Sequence, residues 1–193
     1  MARPAELIVR AATAGDEPFL WRMLALAASM DGSDEAISVA KTDPKLAVYL
    51  DGYDVGFVAE RDGVAIGAAW LRSGEPMEGK VWTPSMPELV IASIPDVRGE
   101  GVGNALLRAI VDASGGRFAA IALSVREENP AVRLYERFGF VIERVIVNRV
   151  GGRSLAMRRS NERTQLEQAG GEEDEEARRE RALSSPPRPP RLS

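Results

Sequence analysis

Three features of the sequence predict an α/β chain of the α+β kind, with one sheet and a few helices in a single domain. Short apolar runs alternate with amphipathic stretches between Leu7 and Met157. Two of those runs, Val55–Glu60 and Val64–Leu71, are split only by the turn Arg61-Asp62-Gly63, which reads as a hairpin. A further strand, Glu88–Ile94, leads through the glycine-rich stretch Arg98-Gly99-Glu100-Gly101-Val102-Gly103 into a helix.

Leu7–Ala11 reads as the first strand, and Asp16–Met30 as a helix because Leu20, Met23, Leu24 and Ala27 recur at helical spacing. Asp31–Lys45 is polar and irregular, and Leu46–Leu50 suits a second, short helix. After the hairpin, the Gly, Pro and Ser content of Ser73–Pro87 predicts a loop. From Val102, the residues Ala105, Leu106, Ala109, Ile110 and Ala113 form one continuous buried helix face, which Gly115-Gly116 ends. Ala119–Val125 is nearly uninterrupted apolar sequence, as a strand buried on both faces requires. Pro130–Phe138 reads as a short helix, with Pro in its first turn and Gly139 after its last. Val141–Val150 and Ser154–Met157 close the sheet as two more strands around Gly151-Gly152.

From Ser160 the composition changes to acidic, arginine-rich and proline-rich text with almost no large apolar residues, which predicts disorder. The expected organisation is a folded domain over 1–159 and a charged, Pro-rich tail over 160–193. The acidic run Glu172–Glu176 reads as a solvated charge block.

Composition removes several function classes. The chain has 193 residues, 25 basic and 29 acidic, for a formal net charge of −4. That balance gives no broad electropositive face for nucleic acid. Cysteine and histidine are both at 0, which excludes disulfides, thiolate zinc sites, Ser-His or Cys-His nucleophiles and an imidazole base. Acid–base work must then use carboxylate, tyrosine, lysine or the substrate's own amine, and no metal is expected. The start Met1-Ala2-Arg3-Pro4 leads into no long apolar stretch and nothing later is long enough to span a membrane, so the expected location is cytoplasmic. Among the basic residues only Lys41, Lys45 and Lys80 are lysine, the bias a GC-rich bacterial genome produces.

The strand, glycine-rich loop and helix over 88–114 have the parts of a pyrophosphate site: glycines that let the backbone approach an anion, and unpaired amides at a helix N-terminus. Alone, the spacing also suits a tight packing turn. It is not the dinucleotide fingerprint, whose third glycine comes one residue later, and no Gly-Lys-Ser/Thr follows for a nucleotide P-loop. A second motif accompanies it. Ile94-Pro95-Asp96-Val97-Arg98-Gly99-x-Gly101-x-Gly103-x-x-Leu106-Leu107 is followed by Leu123-x-Val125-x-x-x-Asn129-Pro130-Ala131-x-x-Leu134-Tyr135-x-x-x-Gly139-Phe140.

With both motifs in order, the chain from Leu7 to Arg158 closely resembles the GNAT superfamily of N-acetyltransferases, in a common bacterial branch. The resemblance implies a mixed, mostly antiparallel sheet of about six or seven strands with about four helices. Its fourth and fifth strands would start together and splay, so that the pantetheine arm of acetyl-CoA, the co-substrate, lies between them like a strand. Carried over by position, the backbone of Ile91, Ala92 and Ser93 would bond the pantetheine amides, and the amides of Gly99, Gly101, Val102, Gly103 and Asn104 would hold the pyrophosphate. Arg98 would stabilise that loop, and Asn129 would bond the cofactor near the pantetheine. The acetyl group would pass directly to a primary amine of a small molecule or peptide, with no covalent enzyme intermediate.

Tyr135 is the candidate general acid, its hydroxyl near the sulfur; the same residue also suits a core aromatic. Glu88, opening the splayed strand, is the candidate base, although a solvated strand-end glutamate has the same sequence signature. Ser124 stands where relatives that acetylate ribosomal protein N-termini carry glutamate, which speaks against that substrate. Glu100 puts an acid where relatives carry a basic or neutral residue, and so keeps open a second function, an acyl-CoA-binding sensor or interaction module without turnover. Among Trp21, Trp70 and Trp82, only Trp82 lies in a loop that could line an acceptor pocket, and Asp31, Asp34 and Glu35 would suit a cationic amine. A homodimer through the late strands is a further expectation from the resemblance.

Overall fold

The computed structural model describes residues 6–78, 80–148 and 150–161. A seven-stranded sheet, β1 (Leu7–Ala11), β2 (Val55–Arg61), β3 (Val64–Arg72), β4 (Glu88–Ser93), β5 (Ala120–Arg126), β6 (Val141–Val147) and β7 (Arg153–Ser160), carries the fold in the order β1-β2-β3-β4-β5-β7-β6. Every neighbouring pair is antiparallel except β4 and β5. The mixed, mostly antiparallel sheet is therefore as expected. The helices are α1 (Glu17–Ala27), α2 (Asp34–Thr42), α3 (Pro44–Ala47), α4 (Val102–Ser114) and α5 (Val132–Arg137).

The sheet separates two apolar layers. On one face Val102, Leu106, Leu107 and Ile110 of α4 meet Leu89, Leu123, Val125 and Tyr135. On the other, Leu20, Met23 and Leu24 of α1 pack with Ala36 and Ala40 of α2 against Val58, Trp70 and Val90. Side chains alternate across a strand, so Leu89 belongs to the first layer and Glu88 and Val90 to the second. Gly67 of β3 lets α4 approach: a Cβ there would stand 2.9 Å from Val102 Cγ1 and 3.1 Å from the Ala92 carbonyl oxygen.

Asp34–Thr42, expected to be irregular, is a helix. Its start is capped by Ser33, whose Oγ accepts from the Ala36 amide at 3.2 Å. Its inward stripe consists of Ala36 and Ala40, too small to show as a hydrophobic period, yet both are buried against α1. The following short helix starts earlier than expected because Pro44 occupies its first turn and the Asp43 side chain accepts from the Lys45 amide at 2.9 Å. The first helix stops at Ala27 rather than Met30, with Ser29 in the left-handed region at φ 63°. The sixth strand ends at Val147, where the Asn148 side chain turns the chain by accepting from the Val150 and Gly152 amides at 3.1 and 2.9 Å.

Candidate active site

β4 is paired with β3 along its whole length, from Arg72↔Glu88 to Gly67↔Ser93. On its other edge it meets β5 in one registered pair, Glu88↔Ala122. Past that pair the edge of β4 carrying Ile91, Ala92 and Ser93 has no partner strand among the described residues, and all three residues are half-buried. Unpaired strand groups at partial burial are costly unless something bonds them, so the opening suits an extended polar arm. Ser124, two residues past the pair on β5, is exposed to the same opening although its neighbours Leu123 and Val125 are buried.

At the far end of β4 the turn Pro95–Val97 is anchored by buried Val97 and delivers the chain to α4. Gly99 and Gly101 hold φ of 83° and 85°, values a side chain resists, and a Cβ at either would meet nothing within 4 Å. The glycines are thus required by backbone conformation and leave an open surface over the first turn of α4, where Val102, Gly103 and Asn104 present amides. This cradle fits a pyrophosphate. Arg98 and Asn104 are exposed beside it. Glu100 is ion-paired to Arg61 at the end of β2, so its charge is compensated by its neighbour.

Glu88 is buried at 3% exposure, not solvated. Its carboxylate accepts from Ser124 Oγ at 3.0 Å and from the Val81 amide at 3.4 Å, and the Tyr49 hydroxyl lies against it. Burial pushes the carboxyl above its ordinary value, and the hydrogen bonds from Tyr49 and Ser124 oppose that rise without cancelling it. The same contact, with burial, pushes the Tyr49 phenol well up. Lys80 adds a cation to this cluster, with its Nζ 4.0 Å from the centre of the Tyr49 ring and 5.3 Å from that of Trp82. Burial lowers the Lys80 ammonium, and the charge of Glu88 raises it in part. Trp82 stands edge-on to Tyr49, with centroids 5.1 Å apart, and its indole nitrogen donates to the Glu75 carbonyl at 3.1 Å.

Tyr135 lies on the opposite face of the sheet, in the layer of α4. Burial alone pushes its hydroxyl up to about 12, and its ring meets Phe140 edge-on at 6.0 Å. Asn129 spends its side-chain oxygen on the Ala131 amide at 2.9 Å, opening α5, and keeps its amide nitrogen available to a ligand. Glu88 and Tyr135 therefore lie on the two faces of the sheet, the glycine cradle lies at the far end of β4, and Asn129 follows β5.

Residues 52–142 match the family model described as the acetyltransferase (GNAT) domain. Over those residues the chain carries a GNAT acetyltransferase domain. Solved structures agree on the fold. A Salmonella typhimurium yncA acetyltransferase, determined with its cofactor acetyl-CoA, has 22% identity and TM-score 0.60, covering 80% of this chain and 94% of its own. A GNAT-family acetyltransferase from Streptococcus pneumoniae has 21% identity and TM-score 0.59, with 80% and 99% covered. A ribosomal-protein-alanine N-acetyltransferase from Brucella melitensis has 22% identity and TM-score 0.59, with 79% and 99% covered. No curated protein matches the chain by sequence.

Several candidates for the acceptor side have structural duties. Asp31 accepts from the Ser33 amide at 2.9 Å, and Asp34 and Glu35 form the first turn of α2, where acids favour the positive end of the helix dipole. Trp70 is a core residue at 0% exposure whose nitrogen donates to the Tyr49 carbonyl at 2.8 Å. Tyr49 and Lys80 were missed by sequence reading: they precede β4 by 39 and 8 positions and share no motif with Glu88.

Proposed function

We propose that the protein is an N-acetyltransferase that passes the acetyl group of acetyl-CoA directly to a primary amine of a small molecule or peptide. The observation that carries this reading is the opening between β4 and β5 past Glu88↔Ala122, with buried Glu88 at its head; Tyr135, in the core layer on the other face of the sheet, is assigned to it by its place in the second motif. When bound, acetyl-CoA supplies an activated acyl thioester. Gly99, Gly101, Val102, Gly103 and Asn104 hold its pyrophosphate, with Arg98 beside that loop. Ile91, Ala92 and Ser93 take its amide groups by backbone, and Asn129 donates from its side-chain nitrogen.

Glu88 accepts the proton of the attacking amine. Its raised pKa makes it a stronger base than an ordinary carboxylate, and the hydrogen bonds from Ser124 and Tyr49 hold it in one orientation. Tyr135, at about 12, keeps its proton throughout the neutral range. Complete transfer to a thiolate with a pKa of about 8.5 would run uphill, so Tyr135 acts by donating a hydrogen bond to the departing sulfur. The ion pair between Glu100 and Arg61 supports turnover over a sensor, because it offsets the acid's repulsion of a bound polyphosphate.

Calorimetric titration with acetyl-CoA, coenzyme A and NADH, on wild type and Tyr135→Phe, tests this reading together with thiol release. Binding of acetyl-CoA and coenzyme A but not NADH, with turnover reduced about 100-fold in Tyr135→Phe and binding retained, is expected. Binding without turnover in either protein would establish the sensor instead.

A further inference from the structure

The acetyltransferase reading leaves the acceptor unnamed, and a cavity of about 210 Å³ on the Glu88 face of the sheet bears on it. It lies between the 80–86 segment and the strands β5, β6 and β7, with Ala122, the partner of Glu88 in the strand pair, in its wall. Its apolar walls include Trp82, Met86 and Ala156, and its charged residues are Lys80, Glu143 and Arg144. Register carries Arg144 toward Glu88: Arg144 pairs with Ala156, Ala156 with Ser124, and Ser124 donates to Glu88. Residues opposite one another in a ladder share a face, so this row runs across one surface.

The cavity wall carries two cations, Lys80 and Arg144, against one carboxylate, Glu143, while Glu88 and Asp43 act on Lys80 from outside the wall. The Glu143 carboxylate lies 4.0 Å from Arg158, outside the cavity wall. Among the described residues no carboxylate lies within ion-pair distance of Arg144 or Lys80. Lys80 instead rests on two aromatic rings and donates to the Lys45 carbonyl. Its burial lowers the ammonium, a penalty that an incoming anion relieves. The cavity suits a compact molecule, and the two cations in its wall would repel a polyamine.

We infer that the acceptor is a small amine bearing an acidic group, of the amino-carboxylate class, whose carboxylate is taken by Lys80 and Arg144 while its amine faces Glu88. The inference rests on the acetyltransferase reading. Neutralisation of a carboxylate by two cations distinguishes such an acceptor from its own amide, in which the amine is kept and the charge is lost. One charge-assisted contact, at about 1.5 kcal/mol or more, corresponds to about tenfold in kcat/KM.

The test is thiol release from acetyl-CoA with a panel of α-amino acids, the corresponding amino acid amides, spermidine and an arylamine, using the full chain. The expected result is a kcat/KM for the best amino acid at least about tenfold above that of its amide, carried by KM rather than kcat. Arg144→Ala and Lys80→Met should each shrink that ratio severalfold; Arg144 is exposed on an edge strand, and melting curves establish that both variants fold. Amides or spermidine turned over as well as the amino acids, or a ratio unchanged in both variants, would overturn the inference while leaving the acetyltransferase reading intact. Turnover of no amine would overturn both.

Discussion

Glu88 is a carboxyl held where water would not hold it, and its stability cost and its chemical use have the same origin. Because burial raises its folded pKa above the ordinary value of 4.5, the folded protein binds this proton more tightly than the unfolded chain. The penalty is therefore absent in acid, grows as pH rises through the ordinary carboxylate value, and is complete above the folded pKa. Glu88→Gln should consequently melt at least as high as wild type at pH 7 and lose this advantage near pH 4; differential scanning calorimetry across that range checks the trend. The rate should move in the other direction. A rising limb in kcat/KM with its midpoint above 4.5 is expected in wild type and should vanish in Glu88→Gln, whereas a limb from the acceptor's own amine would follow the acceptor through the panel.

At the scale of elements, what the sequence shows depends on whether the information is local. The glycine-rich loop was legible because φ near +85° at Gly101 leaves few alternatives to glycine. Gly101→Ala should cost about 1 kcal/mol in stability and weaken acetyl-CoA binding more than it lowers kcat, by titration calorimetry and initial rates. The helix α2 escaped sequence reading because alanines form its buried stripe, and a small stripe becomes a core face only once α1 is in place. The entry to α1 was likewise read only in outline. Asp16 there accepts from Arg10 at 2.7 and 2.8 Å and from the Thr13 amide at 2.7 Å, while Arg10 also reaches Glu60 on β2. This partnership holds the Asp16 carboxyl well below its usual range, chiefly through Arg10. Its stabilisation is present above the ordinary carboxylate pKa and is lost as pH falls through the folded value. Asp16→Asn should then lose about 2 kcal/mol at pH 7 and progressively less in strong acid, by urea melts at each pH.

At the scale of the whole molecule, the succession of strands along the chain was legible from alternating pattern and two motifs, but their order in the sheet and the site were not, because both are assembled from segments far apart in the chain. Glu88 could be named from its place at the head of a strand. Its partners Tyr49, Lys80 and Ser124 come from three other segments, and only the sheet register and the 80–86 chain bring them to one carboxylate. The last described residues are also held by tertiary contacts. β7 runs to Ser160, and buried Asn161 donates to the Phe118 carbonyl at 3.0 Å while its amide bonds the Ala119 carbonyl at 2.9 Å, beyond the 159 boundary expected from composition. The expected disordered tail lies outside the described residues. A chain ending at Arg159 should melt several degrees below one ending at Asn161, since buried hydrogen bonds contribute about 1 kcal/mol each. Among the described residues no helix is long and apolar enough to cross a membrane.

The most direct test of the central claim, that the opening between β4 and β5 is the cleft of an acetyltransferase, is amine-dependent release of coenzyme A thiol from acetyl-CoA by wild type and Glu88→Gln. The predicted result is release that requires an amine and falls about 100-fold in the variant. Release independent of any amine, or equal in the two proteins, would contradict it.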